Sequence, residues 1–334
     1  MSVVVPLAVT ASAPAKTILF GEHFVVYDEP AIVLAIDKRA YVTVAPRKDK
    51  RIYVLSKDLG ISGYFEHDHF LGGESKENVR TILEPIKIAA ESVFNQHLEK
   101  AEGISIEINS SIPVAAGLGS SAAVAAATAL AVGKLLNIKL TQENVFQIAY
   151  DAEKMIHGTP SGIDPAIATY GGVILYQKNK GFTRLEVDAN IPLVIGNTGI
   201  ERTTGNLIAE VRRMYKSYPD IVKPIIKSGG EIAHKAVKAL KNGDLILLGE
   251  LMNINHALLY AVGVSNESLE RLVFAARKTG ALGAKLTGAG GGGCMIALAE
   301  PKNLNRVKKA IEQAGGRGFV ARRTANGTKI EKQD

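Results

Sequence analysis

Lys16 lies in the stretch PAKTILFGEH (14–23), at the start of an apolar run, and Glu22 and His23 follow just beyond a glycine. Far along the chain, Glu153, His157, Ser161 and Asp164 gather within AEKMIHGTPSGIDP (152–165). Glu153 and His157 are four residues apart on an expected helix and so share a face. That helix should end at Gly158, ahead of a turn that carries Asp164. Taken singly, each of these groups has an ordinary structural role: a solvated lysine, a hydrogen-bonded scaffold histidine, an Asx turn. Together with the hydroxyls of Ser120 and Ser121 they supply a cation, two carboxylates and a hydroxyl pair. Those are the parts that phosphoryl transfer from a magnesium nucleotide requires.

Two glycine-rich loops could position such a reaction. PVAAGLGSSAA (113–123) stands between an expected strand and a small-residue helix. Glycines let the backbone turn tightly and approach a ligand, and the free N–H groups of a helix start attract anions. A serine-capped turn that merely opens the helix is the alternative. Gly117, Gly119 and Ala122 also match G-x-G-x-x-A, but residues 120–142 contain no Asp or Glu to hold a ribose, and the G-x-x-x-x-G-K-[ST] pattern is absent. Neither standard nucleotide loop fits. The second loop, KLTGAGGGGC (285–294), has apolar strand-like flanks, which favour a loop folded on a ligand or another domain over a flexible linker.

The elements that must carry these loops read as α+β. Strands are expected at 3–11, 17–20, 31–36, 41–44, 103–108 and 173–176, and helices at 78–98 (kinked at Pro85), 121–136 and from Thr141 onward. The pattern changes near residues 187–191. The chain of 334 residues exceeds what one core usually supports, so two domains are expected, 1–188 and 189–334. The second half reads as a strand at 193–196, several helices, strands flanking the loop near 284–298, a helix at 302–314 and a strand at 319–321.

Composition narrows the partners. The net charge is +7, yet the 58 residues from Arg277 onward carry 12 basic and 4 acidic side chains, leaving the rest near neutral. Aromatics are 6% of residues and Trp is absent, which leaves few stacking platforms for a nucleic acid. Asn109 to Gly133 carries no charge, long enough for a membrane span, but its first half is a Pro-, Gly- and Ser-rich loop whose backbone lipid could not satisfy. No basic segment precedes the N-terminal apolar run, and a single cysteine, Cys294, makes no internal disulfide. A cytoplasmic protein that binds neither membrane nor nucleic acid is expected.

With PAKTILFGEHFVVYDEPAI (14–32), PVAAGLGSSAAVAAA (113–127) and KLTGAGGGGCMIAL (285–298) in this order, the sequence resembles the GHMP kinase family. The resemblance runs over nearly the whole chain. It implies an α+β two-domain fold, with a left-handed βαβ crossover in the N-terminal α/β domain and a ferredoxin-like C-terminal domain. GEHxVV (21–26), HGTPSGID (157–164), NTG (197–199) and RTT (202–204) are nearest to the mevalonate-phosphorylating members. The implied reaction is ATP-dependent phosphorylation of the 5-hydroxyl of mevalonate in isoprenoid synthesis. Another alcohol acceptor of the family (homoserine, a sugar, phosphomevalonate or the 3-hydroxyl of mevalonate), or a non-catalytic RNA-binding relative, is the alternative.

The resemblance also implies roles. Asp164 would accept the hydroxyl proton beside Lys16. Pro113, Ala115, Ala116, Gly117, Leu118, Gly119, Ser120 and Ser121 would line the nucleotide, with Ser121 and Glu153 on Mg²⁺. Glu22, His23, Arg202 and Thr204, with Asp164, would face the substrate, where donors would recognise a small carboxylate. ATP and mevalonate are the partners, with a homodimer open to the chain. Ala15, Ala115 and Asp28 stand where the family often has glycine, and Asp28 can keep its turn because aspartate tolerates left-handed backbone.

Overall fold

The structure, a computed structural model, describes residues 8–66, 69–72, 76–94, 103–113, 116–157, 161–200 and 204–332. The first part holds β1 (Val9–Phe20), β2 (Ala31–Pro46), β3 (Ile52–Ser56), β4 (Ile61–Glu66), β5 (His69–Gly72), α1 (Lys76–Phe94), β6 (Ile104–Ser110), α2 (Ser120–Leu135), α3 (Gln142–His157), α4 (Ile163–Tyr170), β7 (Val173–Gln177) and β8 (Gly181–Leu185). The second holds β9 (Pro192–Asn197), α5 (Thr204–Ser217), α6 (Pro219–Asn242), α7 (Leu245–Ala261), α8 (Glu267–Lys278), β10 (Gly283–Leu286), β11 (Cys294–Leu298), α9 (Leu304–Gln313) and β12 (Arg317–Arg322), and then β13 (Lys329–Ile330).

The four strands expected in residues 3–44 are, where described, two long ones. β1 runs unbroken through Pro14, and the β1–β2 register shifts between Pro14 and Ala15. A proline has no N–H to give a ladder, so a bulge is where a strand can hold one. Pro14 faces Arg39 and Ala15 faces Ile36, so Asp37 and Lys38 are left out of the pairing. These polar residues, which made β2 look like two strands, reach the second sheet instead. The Asp37 carboxylate accepts from the Arg322 N–H at 3.1 Å, and Lys38 sits over the Phe319 ring.

The large sheet runs β13-β1-β2-β6-β3-β4-β5, with β7 and β8 branching from β2. β3 and β6 are parallel neighbours, and β4, β5 and α1 lie in the crossover between them. α2 fills the space between this sheet and its covering helices. Its alanines 122, 123, 125, 126, 127, 129 and 131 are all buried. Small side chains around the whole helix let sheet and neighbouring helices close on it, which accounts for the charge-free stretch as core. No described helix is long and apolar enough to cross a membrane.

β9, β10, β11 and β12 form the second sheet, ordered β10-β11-β9-β12 and antiparallel throughout. With helices after β9 and between β11 and β12, this is the βαββαβ pattern of a ferredoxin-like domain. The chain then returns to the first sheet, where β13 pairs with β1. Arg39, buried, holds that return: its guanidinium donates to the Ser12 hydroxyl (2.7 Å), the Ser12 carbonyl (3.0 Å) and the carbonyls of Gly327 (2.6 Å) and Asn326 (3.1 Å). Arg39→Ala strands these acceptors and is expected to cost about 2–4 kcal/mol of stability in a denaturant titration.

Candidate active site

Lys16 sits mid-strand in β1 between buried neighbours, and its backbone N–H donates to the Leu118 carbonyl at 2.9 Å. One hydrogen bond thus ties the lysine strand to the first glycine loop. The Lys16 ammonium lies 3.1 Å from Asp164 Oδ1. Asp164 is in the first turn of α4, entered through Gly162 at φ 77°, and a carboxylate there is favoured by the helix dipole. The lysine side chain is 10% exposed and the aspartate 27%, so the pair is shielded yet open on the aspartate side.

Glu153, on α3, belongs to the same neighbourhood. Burial pushes its pKa up to about 8, the Asp164 charge pushes the same way, and Lys16 opposes them. Its Oε2 is buried without a hydrogen-bond partner. Ser121, exposed, stands in the first turn of α2. Among the described residues no three His, Cys, Asp or Glu side chains gather into an all-protein metal cage. A magnesium ion does not need one, since it takes one or two protein oxygens and completes its shell with phosphate and water. An orphaned carboxylate oxygen in a dry setting fits that demand.

Gly119 joins the two halves of this arrangement. It adopts φ +73°, and a Cβ built there would lie 2.8 Å from Lys16 Cγ and 3.5 Å from Asp164 Oδ2. The loop therefore passes directly over the ion pair, as close as a backbone can. Beyond it, α2 begins at Ser120 with no side chain capping it, leaving N–H donors for an anion. Ala116 and Leu118 are buried and pin the loop, Gly117 is exposed, and Pro113 is half-buried. Ala115 lies outside the described residues. Gly119→Ala would displace Lys16, and kcat/KM is expected to fall by about 100-fold or more in a steady-state assay.

Glu22 and His23 are also buried, and each is bound by the second part of the chain. The Glu22 carboxylate pairs with the Lys285 ammonium, and both side chains have 0% exposure. Burial pushes the Glu22 pKa up against the Lys285 charge. His23 Nε2 donates to the Ala289 carbonyl at 2.8 Å, and burial pushes the ring's pKa down. A carbonyl only accepts, so Nε2 carries the proton and Nδ1 of the neutral ring is an acceptor. His23 thus offers a hydroxyl partner more readily than a second donor for a carboxylate. Arg202 lies outside the described residues, and Thr204 is the first residue of α5.

The second glycine loop folds on the first part of the chain. The Thr287 hydroxyl bonds both the N–H (3.1 Å) and the carbonyl (2.9 Å) of Ile18, and lies 3.2 Å from the Thr17 hydroxyl. These groups sit beside the second β1–β2 register shift, between Ile18 and Phe20. Lys285 and Thr287 escaped the sequence reading as side chains because K-L-T beside a glycine run shows no partner. Asp28 does take the left-handed conformation, φ 67°, and its carboxylate accepts from the Asn179 backbone (3.0 Å) and amide (2.8 Å).

A lysine–aspartate pair under a glycine loop, at the mouth of an uncapped helix and across from a ferredoxin-like sheet, defines a class. The family model described as GHMP kinases N terminal domain matches residues 84–172, and that described as GHMP kinases C terminal matches residues 236–317. The chain belongs to the GHMP kinase family. It is 44% identical to the mevalonate kinase of Thermococcus sibiricus over 97% of this chain and 99% of that one. The mevalonate kinase of Pyrococcus abyssi is also 44% identical, over 98% and 99%. Among solved structures, Methanococcus jannaschii mevalonate kinase superposes with a TM-score of 0.81 at 30% identity, covering 94% of this chain and 98% of that one. L. major mevalonate kinase in complex with R-mevalonate gives 0.79 at 29% identity, covering 95% and 96%.

Proposed function

We propose that this kinase transfers the γ-phosphoryl group of ATP to the 5-hydroxyl of mevalonate, an isoprenoid-forming step in the cytoplasm. The observation that carries the chemistry is the Lys16–Asp164 pair, 3.1 Å apart, beneath Gly119. The substrate follows from relatives that match the chain end to end, mevalonate kinases at 42–44% identity. We place the domain boundary after Asp188, with β13 returned to the first domain.

In this reading the substrate oxygen attacks the γ-phosphorus as the bond to the β-phosphate oxygen breaks, and ADP leaves with that electron pair. Asp164 holds Lys16 through Oδ1 and keeps Oδ2 to receive the hydroxyl proton. The Lys16 ammonium faces the developing charge on the attacking oxygen and the phosphoryl group, an effect worth ~3–4 kcal/mol in a dry site. Because phosphoryl transfer passes through a loose transition state, Asp164 need not be a strong base, and its placement with Lys16 under Gly119 matters as well. Backbone N–H groups of residues 116–121 cradle the phosphates at the α2 N-terminus. Glu153 and Ser121 would hold Mg²⁺, which when bound neutralises phosphate charge. His23 Nδ1 accepts from a substrate hydroxyl, and Arg202 or Thr204 is left to meet the carboxylate.

A coupled assay of ADP release over mevalonate, phosphomevalonate, homoserine and galactose tests the reading. Turnover with mevalonate at least about 100-fold above the others in kcat/KM is expected. Preference for another alcohol would replace the substrate and keep the phosphotransfer.

A further inference from the structure

The Glu22–His23–Phe24 turn has its own backbone bonds, from the Val25 N–H to Gly21 and the Val26 N–H to His23, but each of its three side chains is held by the second domain. Lys285, from β10, pairs with Glu22 and also donates to the Leu286 carbonyl at 2.7 Å. The Ala289 carbonyl accepts the hydrogen bond of His23 Nε2–H. Phe24 packs on Gly229 of α6 so closely that a Cβ on Gly229 would lie 2.1 Å from the ring. Within this clamp His23 has φ 59° and ψ −41°, a backbone conformation unfavourable for a residue with a Cβ. Strain of that kind persists only where the surroundings over-determine it.

We infer that Lys285 is a positioning residue for the alcohol side of the site: through Glu22 it holds the turn that aims His23 at the substrate. Glu22 is then a link in the support through the oxygen that pairs with Lys285, while its other carboxylate oxygen is buried without a hydrogen-bond partner. The site is in this sense built across domains, with the glycine loop of the second domain setting the geometry of a turn in the first. The ion pair contributes little to stability for its own sake, because taking two charges out of water offsets their attraction. A pair kept under those terms serves geometry. The inference rests on the reading that His23 faces the alcohol substrate.

Three variants test it: His23→Ala, Lys285→Met, and Glu22→Gln with Lys285→Met. The single Lys285 change leaves Glu22 buried without its partner and is expected to lower the melting temperature, whereas the double change removes both charges and restores it. If Lys285 positions His23, the double variant folds as stably as the parent but its KM for mevalonate stays raised by about 10-fold or more, with KM for ATP within about threefold. Recovery of both KM values along with stability would overturn the inference and leave a structural pair. A His23→Ala protein with unchanged KM for mevalonate would instead overturn the reading of the alcohol side, and the inference with it.

Discussion

Asp164→Asn lowers kcat by about 10³–10⁴-fold while ATP affinity stays within about threefold. The amide keeps the shape and one acceptor, so α4 and the Gly119 loop have no reason to move. What goes is the acceptor for the hydroxyl proton and the charge that orients Lys16, 3.1 Å away. Lys16, with a side chain 10% exposed, then faces the amide oxygen alone. The melting temperature drops only modestly, because Asp164 is a quarter exposed and water screens the pair. Single-turnover kinetics with tight nucleotide binding retained would place the whole loss in the chemical step. Parent-like turnover would remove Asp164 from the mechanism.

Glu153→Gln also costs turnover, but with the opposite sign in stability. In the metal-free protein the Glu153 carboxyl titrates at about 8, above its ordinary 4.5, because it is buried beside Asp164. Between those pH values the folded chain keeps a proton that the unfolded chain has released, so stability falls as pH rises through the window. The amide does not titrate. The variant should melt with the parent near pH 4.5 and roughly 2–5 °C above it at pH 8.5. Its turnover should nonetheless fall by at least ~100-fold, as an amide is a poor partner for a magnesium nucleotide. At neutral pH most of the parent carboxyls are protonated, so binding the magnesium nucleotide should release protons from this site. Calorimetry in buffers of different ionisation enthalpy counts them, and the variant should release none from this site.

The cluster of Lys16, Asp164 and the first glycine loop was legible in the sequence, and part of the reason lies in glycine. Gly119 and Gly162 sit at positive φ beside Lys16 and Asp164, and only a few residue types permit that backbone, so the sequence marks such turns openly. Asp28 was readable for the same reason. Glu153 was named in the same cluster, and its metal role came only with the family resemblance: four residues from His157 on an expected helix, it looks locally like any solvated glutamate, and the fold is what sets it against Asp164. The Glu22–Lys285 pair was hidden more deeply, since its partners are 263 residues apart and no local pattern links them. Strand continuity was misjudged where polar residues leave the ladder. Asp37 and Lys38 broke the apolar pattern of β2 because they bulge toward the second sheet. The strands β3, β4 and β5 alternate in burial, but IYVLS, ISGYFE and HFLG do not alternate apolar with polar residues, so their period is hidden in the sequence.

If the site works as proposed, it moves phosphate from ATP to one primary alcohol. Phosphorus NMR of a reaction holding only the enzyme, mevalonate, ATP and Mg²⁺ tests it most directly. ADP and a single phosphomonoester resonance are expected in equal amounts, the resonance split by the two protons of the C5 methylene. An unsplit phosphomonoester on the tertiary 3-hydroxyl, or ADP with inorganic phosphate and no ester, would contradict it.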